Sequence, residues 1–211
     1  MQQTRPGRID GDVVHHEGFV ADGEVQLVDG RQVLTPERCV LEASSRVNNE
    51  IALCVLESGL RSGLFDADTL CRQFEVMQRW PYMQHLQIPV RMADGRSGSV
   101  GESRGIWAFF TLGIPAPERQ FVVRGPSGDV IGVTDWYWPA HHLIGEFDGR
   151  VKYGRLLRPG QDPGQVVFDE KKREDNLREI TQAKVFRLVW SDYDRPLEIR
   201  SRFSRLIGRS A

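Results

Sequence analysis

Apolar residues change their spacing near residue 100 of this chain. Before it they recur at helical intervals; after it they mostly alternate in twos. "NNEIALCVLESGLRSG" predicts a helix bearing Ile51, Leu53, Cys54, Val55, Leu56 and Leu60, with Gly63 placed to end it. "LTPERCVLEASS" predicts an earlier one, with Thr35 as N-cap, Pro36 at the first helical position and Glu37 in the first turn. "DADTLCRQFEVMQRW" predicts a third, capped by Asp66 or Asp68. The turn-rich start carries a short strand meander, because two Asp-Gly pairs bracket Glu24 to Val28.

Residues 88–103, "IPVRMADGRSGSVGES", are polar, rich in Gly and Ser and without a sustained period, which reads as a linker. Beyond it "SVGESRGIWAFFTLG" predicts a helix ending near Gly113. Three strands follow, "RQFVVRG", "VIGVTDWYWP" and "LIGEFDG", joined by the short connections "PSGD" and "PAHH". After a Gly/Pro loop come a charged helix, "FDEKKREDNLREITQA", and a closing strand, "KVFRLVW". The expected fold is α/β of the α+β kind: a small helical region over 1–92, then helix, three-strand meander, helix and strand over 93–211.

Composition narrows the function only a little. Of 211 residues, 40% are hydrophobic and 27% charged, and the net charge of -1 gives no global attraction to polyanions, so any such partner needs a local patch. No apolar run approaches the roughly 18 residues of a membrane span, and the N-terminus has no apolar signal core, which points to the cytoplasm. Cys39, Cys54 and Cys71 form no metal-ligand spacing and sit in apolar contexts, as buried reduced thiols would.

Hairpin arithmetic finds the candidate chemistry. If His142 lies opposite Pro139, opposed residue numbers sum to 281, so Asp135 lies across from Glu146 and Val133 across from Asp148. The "PSGD" turn gives a sum of 255, which sets Gln120 beside Asp135 on the same face. Two opposed carboxylates among apolar neighbours repel unless one is protonated or a cation lies between them. A Mg²⁺ ion resolves the conflict, since it takes one or two carboxylates and keeps waters. The alternative is that Asp148-Gly149 is a turn and Glu146 an exposed edge residue.

"VTDWYWPAHHLIGEFDGRVKY", "EKKREDNLRE" and "KVFRLVW" resemble the PD-(D/E)XK nuclease superfamily. The nearest group is the actinobacterial endonuclease-like proteins related to very-short-patch repair endonuclease, often assigned to an AbiEi-type toxin–antitoxin family. "ADGRSGSVGESRGIW" and "GIPAPERQ" look like that group's lead-in to the sheet, and the resemblance is tight over about residues 93–195. Many members begin with a winged-helix domain that this sequence does not contain, so a truncated or misassigned start is one expectation. The resemblance implies that Asp135 and Glu146 hold Mg²⁺ or Mn²⁺, with Glu102 matching an acid on the first helix. Asp148 stands where the motif has Lys, and Lys152, Lys171 or Lys172 is expected to substitute.

The implied activity is metal-assisted hydrolysis of DNA phosphodiester bonds, with Asp148 as a further ligand and Gln120 holding water or a phosphate oxygen, or else bonding across the sheet. Arg150, Lys152 and Arg155, with Lys171, Lys172 and Arg173, are the candidate phosphate contacts, and the basic tail 195–211 a docking helix. Trp136, Tyr137 and Trp138 read as core rather than base-stacking platforms. The competing reading is a nuclease fold that binds DNA or a protein partner without cutting, which the missing motif Lys fits.

Overall fold

The structure is a computed structural model that describes residues 9–15, 18–149 and 183–208. Two hairpins open it: β1 (Ile9–Asp10) with β2 (Val13–Val14), and β3 (Val25–Val28) with β4 (Arg31–Leu34). In the second, Asp29 and Gly30 both take positive φ, 49° and 75°, as an Asp-Gly pair at a tight hairpin turn is expected to do.

Helices α1 (Pro36–Ser44), α2 (Asn49–Arg61), α3 (Ala67–Met77) and α4 (Gln87–Met92) follow. Asn48 caps α2 by accepting from the Ile51 N–H at 2.9 Å, and Asp66, not Asp68, caps α3 by accepting from Thr69 at 2.7 Å. Thr35 occupies the α1 N-cap position, but its hydroxyl makes no capping bond; Pro36 sets the helix start instead. The thiol expectation is corrected in part: Cys54 is buried, whereas Cys39 and Cys71 are exposed on outer helix faces.

The stretch 88–103 is not a linker. Its first half forms α4, which buries Pro89 and Val90. The loop after it is pinned by Glu57, a fully buried acid that accepts from the Asp94 and Ser97 N–H groups at 3.1 and 3.3 Å and from Arg119 at 2.7 Å. Arg61 adds a bond to the Ser97 carbonyl at 2.5 Å. Glycine and serine there serve close packing rather than freedom. One apolar core consequently runs from Leu41, Leu53 and Leu56 to Phe109, Trp138 and Phe203, across residue 93.

Helix α5 (Val100–Thr111) then packs on a four-stranded sheet of order β5 (Glu118–Arg124), β6 (Val130–Trp138), β7 (Leu143–Asp148), β8 (Lys184–Val189). The first two pairings are antiparallel and β7–β8 is parallel, which requires a crossover connection. The charged helix expected in that connection lies outside the described residues. Phe109 meets Trp136 and Trp138 edge-on at 5.0 and 5.2 Å, so the two tryptophans are core as expected. Helix α6 (Pro196–Leu206) buries Ile199 and Phe203, but Leu197, expected on its apolar side, is 75% exposed. The fold is α+β, and among the described residues no helix is long and apolar enough to cross a membrane.

Candidate functional site

Both predicted registers hold. Trp136 pairs with Gly145, Tyr137 with Ile144 and Trp138 with Leu143; Glu118 pairs with Tyr137 and Phe121 with Thr134. Trp136 faces α5, where a Cβ on Gly105 would come within 2.3 Å of its ring. Side chains alternate along a strand, so Asp135 and Tyr137 take the opposite face, together with Ile144, Glu146 and Asp148 of β7.

The regular pairing of β6 with β7 ends one step before Asp135. There the Asp135 carboxylate intrudes: its Oδ2 accepts the Phe147 backbone N–H at 2.7 Å. A side chain thus replaces a rung of the ladder and fixes one carboxylate oxygen at the point where the strands part. The Phe147 ring lodges against Gly101 of α5, where any added Cβ would lie 2.0 Å from it. Its other neighbours are Trp190, edge-on at 4.9 Å, and Tyr193, stacked at 5.9 Å, whose hydroxyl donates to the Gly101 carbonyl at 2.5 Å. Helix, strand and acid are therefore located by one aromatic contact.

Gln120 departs from the expected row. Its rung opposite Asp135 is missing from the β5–β6 ladder, and its backbone is left-handed, with φ 48°. The side chain turns toward α5 and donates to Glu102 Oε2 at 2.8 Å. The reason is chemical: Glu102 is a nearly buried carboxylate that needs donors. It takes them from the Gly98 N–H at 2.7 Å, the Ser99 hydroxyl at 2.8 Å and Gln120, while Ser99 accepts from the Glu102 N–H at 3.2 Å. This is a reciprocal helix-start motif, S-x-x-E, which occupies both oxygens of Glu102.

The remaining site residues divide cleanly. Glu146 and Asp148 are half-buried on β7, opposite Arg187 and Val189 of the parallel neighbour β8. Arg150, Lys152, Arg155, Lys171, Lys172 and Arg173 lie outside the described residues. Arg187 is a residue that sequence reasoning missed. The alternation in "KVFRLVW" indicates its face, but only the tertiary pairing puts it across from Glu146.

Asp135, Glu146 and Asp148 offer hard oxygen donors on one face, a set that suits Mg²⁺ bound through one or two carboxylates. Among the described residues, no three His, Cys, Asp or Glu side chains are grouped so as to hold a metal ion by themselves. Water or substrate oxygens would complete its coordination, the usual condition of Mg²⁺ at phosphate sites.

No family model matches the chain, and no solved structure matches it. It is 25% identical over 171 residues to two proteins of Mycobacterium tuberculosis, the uncharacterized protein Rv2248 of strain H37Rv and the uncharacterized protein MT2308 of strain CDC 1551. The match covers 71% of this chain and 60% of each relative, so the chain spans about three-fifths of the length of these curated relatives.

Proposed function

We propose that this chain is a Mg²⁺-dependent endonuclease-like protein that hydrolyses DNA phosphodiester bonds, with a restriction-endonuclease-like PD-(D/E)XK core formed by α5 and the four-stranded sheet. One observation carries the reading: one step beyond the last paired rung, Trp136–Gly145, the Asp135 carboxylate is held by the Phe147 amide next to Glu146 in the chain. Asp135 and Glu146 would hold the ion, and Asp148 lies further along the same face of β7. When bound, Mg²⁺ supplies Lewis-acid polarisation of the phosphate and a water of lowered pKa. Glu102 and Gln120, bonded to each other from α5 and β5, flank the site, with Glu102 acting on the ion through water. Defence, repair or a toxin–antitoxin system is the expected setting, and the cytoplasm the expected place.

The test is cleavage of plasmid and single-stranded DNA with Mg²⁺ or Mn²⁺, beside Asp135→Ala and Glu146→Ala. Cleavage that EDTA and both substitutions abolish supports the reading; cleavage that survives both removes it.

A second reading has its own observation. Arg187 lies across from Glu146 and supplies a cation beside the acid pair from within the chain, and Asp148 stands at the motif Lys position. Arg187 offsets part of the negative charge of such a row without a metal, as in a fold that binds DNA or a protein without cutting. Silence on every substrate, with DNA binding retained, selects this reading.

A further inference from the structure

We propose that Arg187 and Arg205 form a phosphate-binding track that leads from the Asp135–Glu146 pair over the edge of β8 into the groove under α6, and that its ligand is the backbone of a nucleic acid. The proposal rests on reading the acid pair as a phosphodiester site. It adds a binding surface on elements that the nuclease motif does not include.

Register supplies the first part. Parallel β7 and β8 put Arg187 directly opposite Glu146, one strand spacing away, about 4.8 Å. Phe186 and Leu188 point into the core, so Arg187 between them points to the face of Glu146 and Asp135. Three neighbouring strands thus carry Asp, Glu and Arg in one row. Arg187 is exposed, and a guanidinium meets phosphate oxygens in a planar, two-pronged geometry that an ammonium does not offer.

The groove supplies the second part. A pocket of about 340 Å³ lies between β8 and α6, lined by Val185, Phe186, Arg187, Arg202, Arg205 and Leu206. Among the described residues its charged lining is arginine alone. Arg202 is committed to the fold: it pairs with Asp192 at 2.7 Å and donates to the Arg187 carbonyl on the outer edge of β8. That bond ties the two linings of the groove together. Arg205, one helical turn further on, is exposed and makes no ion pair among the described residues. It stands in the last turn of α6, where a cation suits the helix C-terminus, and its exposed guanidinium fits a ligand anion.

The experiment is fluorescence anisotropy of a labelled duplex oligonucleotide and of its single strand, with Ca²⁺ present and over a range of salt, for wild type, Arg187→Ala, Arg187→Lys, Arg205→Ala and the distant control Arg91→Ala. Circular dichroism reports folding. Expected are weaker binding by Arg187→Ala and Arg205→Ala, each with the slope of log affinity against log salt reduced by about 1. Arg187→Lys, which keeps the charge and is the safer fold, retains the salt slope but loses affinity. Arg91→Ala matches wild type. The proposal is overturned if folded Arg187→Ala and Arg205→Ala keep wild-type affinity and slope. If in that case the wild type still cleaves through Asp135 and Glu146, only the track has failed. No binding to either oligonucleotide, together with no cleavage, overturns both.

Discussion

The backbone N–H of Phe147 donates to the Asp135 carboxylate at 2.7 Å, one step beyond the last regular rung between β6 and β7. The bond gives Asp135 a structural duty in addition to the proposed chemical one, and the two can be separated. Asp135→Ala leaves a half-buried amide without its acceptor and should cost about 1–3 kcal/mol in urea denaturation. Asp135→Asn keeps an acceptor oxygen and should cost clearly less. Both should lose metal-dependent cleavage. Equal stability of the two variants would show that the bond contributes nothing.

Gln120 should be more sensitive to backbone than to side-chain chemistry. Its φ of 48° is strained for any side chain and most of all for a β-branched one, at roughly 1–2 kcal/mol. Gln120→Gly relieves that strain while losing the bond to Glu102, so the two effects nearly cancel. Gln120→Val loses the bond and adds strain, and should be about 2 kcal/mol less stable than Gln120→Gly. Chemical denaturation of the pair decides it.

Gly105→Ala sets helix propensity against packing. Alanine gains about 1 kcal/mol in a helix interior, but its Cβ would lie 2.3 Å from the ring of Trp136, which is 1% exposed and cannot retreat. Overpacking of this kind costs about 3 kcal/mol, so the net change should be a loss of about 2 kcal/mol. Gly101→Ala meets Phe147 instead, at 2.0 Å. That ring is only half-buried and can swing, so the variant should lose less stability but more cleavage, as β7 shifts relative to Asp135.

Acid should weaken the contacts that Glu24 makes beside the β3–β4 hairpin. Burial by itself pushes the Glu24 carboxyl up, but donors from the Ala21 N–H, the Gln73 amide and the Arg38 guanidinium outweigh it and hold it below its ordinary 4.5. A carboxyl depressed in the folded state stabilises above its unfolded pKa, and that stability is lost as pH falls through the folded value. Wild type should therefore lose stability below about pH 4.5 more steeply than Glu24→Gln. At pH 7 the same substitution leaves the buried Arg38 with Glu42 as its carboxylate partner among the described residues and should cost about 3 kcal/mol. Thermal melts from pH 3 to 7 compare the two slopes.

Local information was enough for much of this protein. The helix starts at Asn48, Asp66 and Ser99 follow from side-chain capping within three residues, and the two hairpin registers follow from turns of fixed length. Hence Asp135 and Glu146 could be paired by counting, because a side chain changes face with every residue along a strand. What the chain does across long separations could not be counted. Glu57 pins residues 94–97 from another helix, so a Gly/Ser-rich stretch that looks like a linker is locked. The demand of buried Glu102 for donors turns Gln120 away from its expected row. Arg187 meets Glu146 only because β8 returns parallel to β7 after a crossover, and a parallel pairing has no tight turn to set its register. The acid pair is legible in the sequence because it arises within one hairpin; its cation is not, because it arrives from a strand some forty residues later.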